Sequence, residues 1–203
     1  MNLEKLFQMQ KELDDRILAE HPIQEGEDRL AKKILALLVE LGELAQEWRG
    51  FKFWSKDQEP RFGGYCGCDD GYVDIYLGHG EVGQKLCPQC EGEGTLPNRV
   101  LEEYVDCLHF ILSIGNDIIG ELTDSEIEDI LLNAKEDSGD VVETFIVLNS
   151  CSCELKFREK YDYISLLTIF LSLGLTLGFT WDQVEEAYMR KNAVNHHRQV
   201  NGY

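Results

Sequence analysis

Three of the four prolines in this 203-residue chain (Pro60, Pro88 and Pro97) lie in one window, and so do four of its seven cysteines. Proline removes a backbone donor and clashes with the preceding helical turn, so its near-absence elsewhere leaves the rest of the chain open to long helices. The apolar residues use that freedom. Leu3, Leu6, Phe7, Leu13, Ile17 and Leu18 recur at helical spacing until His21 and Pro22 break the pattern. Further helices are expected over 28–48, ending before Gly50, and over 99–119, stopping at Gly120. A short acidic helix runs from a cap at Thr123 or Asp124 to Leu132, and others cover 140–157, 161–177 and 180–198. Thr180 and Gln183 have the spacing of a capping box. The window 61–95 is instead rich in glycine, and Tyr72 to Leu77 alternates weakly like a short strand. The expectation is an all-α core, 1–60 and 96–203, with a small module, 61–95, inserted between two core helices.

At this length one domain with an elaboration is expected. Charge is the next constraint: 38 acids against 19 bases give −19 at pH 7. Such a chain does not bind duplex DNA or an acidic membrane passively, because phosphate contacts need a basic patch. It handles phosphates through bound cations or a few local bases. No apolar run reaches the roughly 20 residues that span a bilayer. The longest, 164–179, is interrupted by Ser165, Thr168, Ser172 and Thr176. The opening segment is charged throughout, unlike a signal peptide. A cytoplasmic protein is expected, with thiols reduced or metal-bound. The acidic stretch 121–143 reads as a solvated face.

Two acid pairs carry the chemistry. Glu40 and Glu43 sit in LLVELGELAQEW, hemmed by leucines, and Glu103 and Asp106 sit in VLEEYVDCLHF. A spacing of three puts both acids of a pair on one helix face. On the second helix Glu103, Asp106, Phe110, Ser113 and Asp117 share a face, opposite Tyr104, Val105, Leu108 and Leu112. Carboxylates in largely buried helices are costly unless paired or bound to metal. Two such helices can build an oxygen-rich site for Mg²⁺, which takes carboxylates, waters and substrate phosphates. Glu47 continues the first face by one turn. Solvated flanks of amphipathic helices would show the same spacing. In the last helix Tyr188, Lys191, Asn195 and Arg198 recur on one face, which suits several phosphate oxygens. A basic last turn complementing the helix dipole is the plainer reading.

Cys66 and Cys68, with Cys87 and Cys90, form two close-spaced pairs suited to a closed, structural Zn²⁺ site, and His79 is an alternative ligand. A module this small lacks its own core, so metal would supply its folding energy. Free thiols in a loop, or a redox pair, are the competing readings. Cys107 reads as a small buried hydrophobe. Cys151 and Cys153 have no assigned role. Arg61 and Lys85 face several acids within the module, which argues against nucleic-acid binding.

With these residues in view, the chain resembles the dimeric all-α dUTPases of the MazG-like nucleoside triphosphate pyrophosphatase superfamily. The likeness rests on MQKELDDRI (9–17), ELGELAQEWRGFKFWS (40–55), EEYVDCLHFILSIG (102–115) and AYMRKNAVNHHRQVNGY (187–203). The acid pairs are a superfamily pattern, whereas FKFWS and the Tyr-x-x-Lys-Asn tail are more specific to the dUTPase branch. A cysteine stretch of the insert resembles, locally, half of a DnaJ-type zinc repeat. The resemblance implies a MazG-like helical bundle of dimeric dUTPase type. It also implies Mg²⁺-dependent cleavage of dUTP to dUMP and pyrophosphate, extending in the metal-dependent family to dUDP.

Glu40, Glu43, Glu103 and Asp106 match the family's Mg²⁺-ligand positions, with Glu40 at the water-activating position and Glu43 its catalytic neighbour. Gln10, Trp54, His109 and Phe110 match positions around the uracil, where an amide can read the base edge and rings can stack. Tyr188, Lys191, Asn195 and Arg198 match the phosphate-binding tail. Read without the resemblance, Trp54 and Phe110 are core aromatics and His109 a satisfied core histidine. Glu43 and Glu103 lie 60 residues apart, where the family has a short connection, and excising the 35-residue insert leaves 25, the usual pattern. The alternatives are a MazG-like pyrophosphatase for another nucleotide, such as dCTP or a damaged triphosphate, and a non-catalytic zinc-containing interaction protein. The presence of all four acids and of the Lys/Asn/Arg tail stands against the latter. A protein partner would use the insert or the acidic face.

Overall fold

The computed structural model describes residues 1–79, 81–135, 139–157 and 159–201. Gly80 of the insert, Glu136 and Asp137 of the acidic stretch, and Gly202 and Tyr203 of the last motif lie outside the described residues. Among the described residues, seven α-helices form the bulk: α1 Leu3–Glu20, α2 Arg29–Trp48, α3 Arg99–Ile118, α4 Asp124–Asn133, α5 Val141–Glu154, α6 Lys160–Thr176 and α7 Trp181–Val200. Short polar side chains start them. Asn2, Asp28, Asn98 and Asp140 each accept a backbone N–H of the first turn, and Thr123 and Thr180 make full capping boxes with Glu126 and Gln183. The expected 140–157 helix is regular only to Glu154, and Leu155–Phe157 tightens into a 3₁₀ turn.

Helix α3 is the central element, packed by α1, α2, α6 and α7. Leu30, Ile34, Leu37, Leu41 and Leu44 give α2 a buried stripe against it. Burying each such side chain contributes about 1.5–3 kcal/mol. α3 and α6 exchange tyrosines. Tyr104 donates its hydroxyl to the Phe170 carbonyl (3.2 Å) and its ring lies over Gly174, while Tyr163 donates to the Ile111 carbonyl (3.1 Å) beside Gly115. A methyl group on either glycine would run into the opposing tyrosine, so the two glycines set how closely these helices approach. The apolar run 164–179 is therefore core. Among the described residues no single helix is long and apolar enough to cross a membrane.

The insert is made of two antiparallel ribbons. β1 (Gly64–Tyr65) pairs with β4 (Thr95–Leu96), and β2 (Tyr72–Gly78) pairs with β3 (Glu81–Leu86). The expected strand at 72–77 is β2. Its partner β3 escaped the sequence reading because Gly83, Gln84 and Lys85 break its alternation. The base of the insert is stitched to both neighbouring helices: Arg61 N–H donates to the Glu47 carbonyl (3.0 Å), and Val100 N–H donates to the Arg61 carbonyl (3.4 Å). Phe62 meets Phe179 edge-on at 6.0 Å.

Candidate functional site

The α2–α3 contact brings three carboxylates together. Glu40, Glu43 and Glu103 each offer an oxygen within 4.8 Å of the others. Burial, then the repulsion of Asp106, Glu43 and Glu103, pushes the Glu40 carboxyl up to about 7. Burial, Asp106 and Glu43 do the same to Glu103, also to about 7. Like charges held this close to one another call for a cation. Mg²⁺ sets opposite oxygen ligands about 4.2 Å apart, so the cluster fits it. Asp106 stands aside from the cluster because it is ion-paired with Lys191 of α7. Glu47, one turn on, adds to the negative field at Glu103.

Beside these acids an open cleft of about 1080 Å³ runs between α1, α2, α3 and α7. Gln10, Glu40, Asp106, His109, Phe110, Lys191, Asn195 and Arg198, all singled out in the sequence, line it. Glu43 and Glu103 adjoin through Glu40 and do not line the cleft themselves. Tyr188 is fully buried rather than displayed, donating its hydroxyl to Gln10 Oε1 (2.8 Å) and stacking on the His109 ring at 4.1 Å. Trp54 lies outside the cleft, 66% exposed, edge-on to Phe51 and Phe53 on the loop after α2.

Polar groups that the sequence reading passed over complete the cleft. Asp14, one turn after Gln10 on α1, accepts from Gln10 Nε2 at 2.8 Å. Lys33 of α2 lies 2.7 Å from Asp117 and 3.9 Å from Asp14. Burial raises the Asp14 carboxyl, and Lys33 opposes that rise. Gln10 Oε1 lies 2.7 Å from His109 Nδ1, whose ring burial holds the pKa down to about 3. The sequence signal for Asp14 was its i+4 spacing from Gln10. It was masked by Asp15, an adjacent acid that only helix phase distinguishes.

The second cluster is sulfur. The Sγ atoms of Cys66, Cys68, Cys87 and Cys90 all lie within 4.8 Å of one another, with Cys66–Cys87 at 3.6 Å and Cys68–Cys90 at 3.5 Å. Four sulfurs at about 2.3 Å from a tetrahedral Zn²⁺ would be about 3.8 Å apart, so the set fits that ion. Backbone N–H groups of Cys90 and Gln89 draw the Cys87 thiol down to about 7, while loss of water and the facing thiols push Cys66 up to about 12. His79 heads the β2–β3 turn and is not among the clustered ligands. Cys107 is fully buried on α3, a thiol raised far above its usual range.

A family model described as dUTPase matches residues 2–75 and 93–203, leaving 76–92 outside the match. No curated protein matches the chain. A match over this much of the sequence assigns the chain to the family of all-α dimeric dUTPases. It is a dUTP diphosphatase, and dUTP is its substrate.

Proposed function

We propose that the enzyme cleaves dUTP to dUMP and pyrophosphate in the cleft, with Mg²⁺ as its cation and the α2–α3 carboxylates as its centre. One observation carries this reading: three mutually repelling glutamates adjoin a cleft that Lys191, Asn195 and Arg198 also line. Glu40, Glu43, Glu103 and Asp106 would hold the metal, which supplies charge neutralisation at the phosphate oxygens. Glu40 is the general base. Its carboxyl lines the cleft, and a bound cation would keep it ionised and able to accept a proton from water. Glu43 supports it from the next turn. Lys191, Asn195 and Arg198 donate to phosphate oxygens, and Tyr188 orients the base pocket from behind. Gln10 and His109 read the uracil edge, Phe110 stacks on the base, and Trp54 joins them when its loop folds over the cleft.

Residues 1–60 and 96–203 are the MazG-like catalytic core, and 61–95 is an insert stabilised by Zn²⁺ on Cys66, Cys68, Cys87 and Cys90. The enzyme is a cytoplasmic homodimer, and the exposed Leu35 and Val39 on α2 give it an apolar strip to cover. Pyrophosphate release from dUTP, dTTP, dCTP, UTP and dATP, with Mg²⁺ or with EDTA, tests the central claim. Release from dUTP alone, abolished by EDTA, is expected. Equal release from several nucleotides would refute the uracil assignment and leave the metal chemistry standing.

A further inference from the structure

A chain of side-chain hydrogen bonds links Asp14, through Gln10, to His109 in the wall of the cleft. Asp14 is held against Lys33, which stands between it and Asp117 with little exposure to water. Burial favours the neutral acid and the Lys33 cation favours the carboxylate, and in the carboxylate form Asp14 accepts hydrogen bonds and cannot donate them. The Gln10 atom facing Asp14 at 2.8 Å is therefore the amide NH₂. Gln10 Oε1 is thereby turned to the other side, 2.7 Å from His109 Nδ1 and 2.8 Å from the Tyr188 hydroxyl. An amide oxygen only accepts, so Nδ1 must carry a hydrogen. A buried ring with a pKa near 3 is neutral, so Nε2 carries none. That Nε2 is buried in the wall of the cleft with no hydrogen-bond partner among the described residues.

We propose that Asp14, acting through Gln10, is a positioning residue that locks His109 in the Nδ1–H tautomer, so that Nε2 is an acceptor for the N3–H of uracil. The inference rests on the uracil reading above and adds how the base is chosen. Uracil offers a hydrogen at N3, whereas cytosine offers a lone pair there. The opposite tautomer would present a donor and suit cytosine. A buried acceptor left facing a lone pair is heavily penalised, which is how a polar site rejects a near-isostere. Thymine carries the same N3–H, so this relay separates uracil from cytosine and is blind to a 5-methyl group.

Long-range proton–nitrogen NMR of the histidine rings in the nucleotide-free, full-length enzyme reads the tautomer directly, with His109→Gln to assign the signal. The wild type is expected to show Nδ1–H alone. Asp14→Asn keeps shape but can face Gln10 with either a donor or an acceptor, so an Nε2–H population should appear. The dUTP-to-dCTP ratio of kcat/KM should fall about tenfold, largely through gained dCTP turnover. Tyr188→Phe removes a donor to the same oxygen yet leaves the carboxylate, and should keep Nδ1–H. An Nε2–H ring in the wild type would overturn the relay, whatever the variants do. An Asp14→Asn enzyme unchanged in tautomer and ratio, or a tautomer that follows Tyr188 instead, would overturn it too. Failure of the uracil reading shows separately, as a wild type without preference for dUTP, because the tautomer is read without nucleotide.

Discussion

The carboxylate cluster and the thiol cluster are both built from two short segments, yet they stand in opposite relation to the fold. The glutamates project from α2 and α3, helices already held by Leu37, Leu41, Leu44, Val105 and Leu108, all essentially inaccessible. In the insert, Cys87 and Cys90 are themselves the buried side chains, while Tyr65, Tyr76, Leu77 and Val82 are exposed. One cluster is mounted on a core and the other takes the place of a core. Like charges can be crowded together in the first because its scaffold is independently stable, and that crowding raises Glu40 and Glu103. The second has no such reserve.

That contrast can be broken in four ways. Glu40→Gln should cost about 10³-fold in kcat, while its melting temperature holds or rises because a repulsive charge has gone. A stability loss matching the activity loss would show the carboxylates to be structural. Cys90→Ser, or chelation of the metal, should do the reverse. Amide exchange across 64–96 should accelerate at least 100-fold, with α2 and α3 still protected. Loss of protection in both regions together would erase the distinction.

The pH response comes next. Glu40 and Glu103 prefer their protonated forms in the fold, at about 7 against 4.5 in the unfolded chain. In EDTA, stability should therefore fall as pH rises from about 4.5, levelling off above about 7. Saturating Mg²⁺ should flatten or invert that slope, because ligands bind metal deprotonated. Thermal melts across pH, with and without the ion, would show it. The smallest effect is expected at Lys191→Met. Removing the cation paired with Asp106 should tighten nucleotide-free Mg²⁺ binding a few-fold and weaken nucleotide binding, both read by calorimetry.

The legible parts of the molecule were those written in one segment at a time. Helical period and caps gave seven helices, because each reports on its own face and first turn. The acid pairs were legible because charges among leucines are anomalous within a single helix. What escaped needed several segments at once. Tyr188 has the helix phase of Lys191 and Asn195, so sequence alone places it with the phosphate tail. Only the packing of α7 on α1 and α3 turns it inward to Gln10 and His109. Gly115 and Gly174 look like helix weaknesses until the opposing tyrosines are in place. Trp54 carries a family motif but lies on a loop that no helical pattern orients.

The pairing of Gly64 with Leu96 means that the insert leaves the helical bundle and rejoins it at neighbouring points. Such a base makes the module a side loop closed at its own foot. The chain between its two legs can be lengthened, trimmed or replaced without altering how α2 and α3 present Glu43 and Glu103. Each doubling of a loop whose ends are already held together shifts closure entropy by only about 0.6 kcal/mol. The length of the tip is thus a nearly free variable for the stability of the helical bundle beneath it.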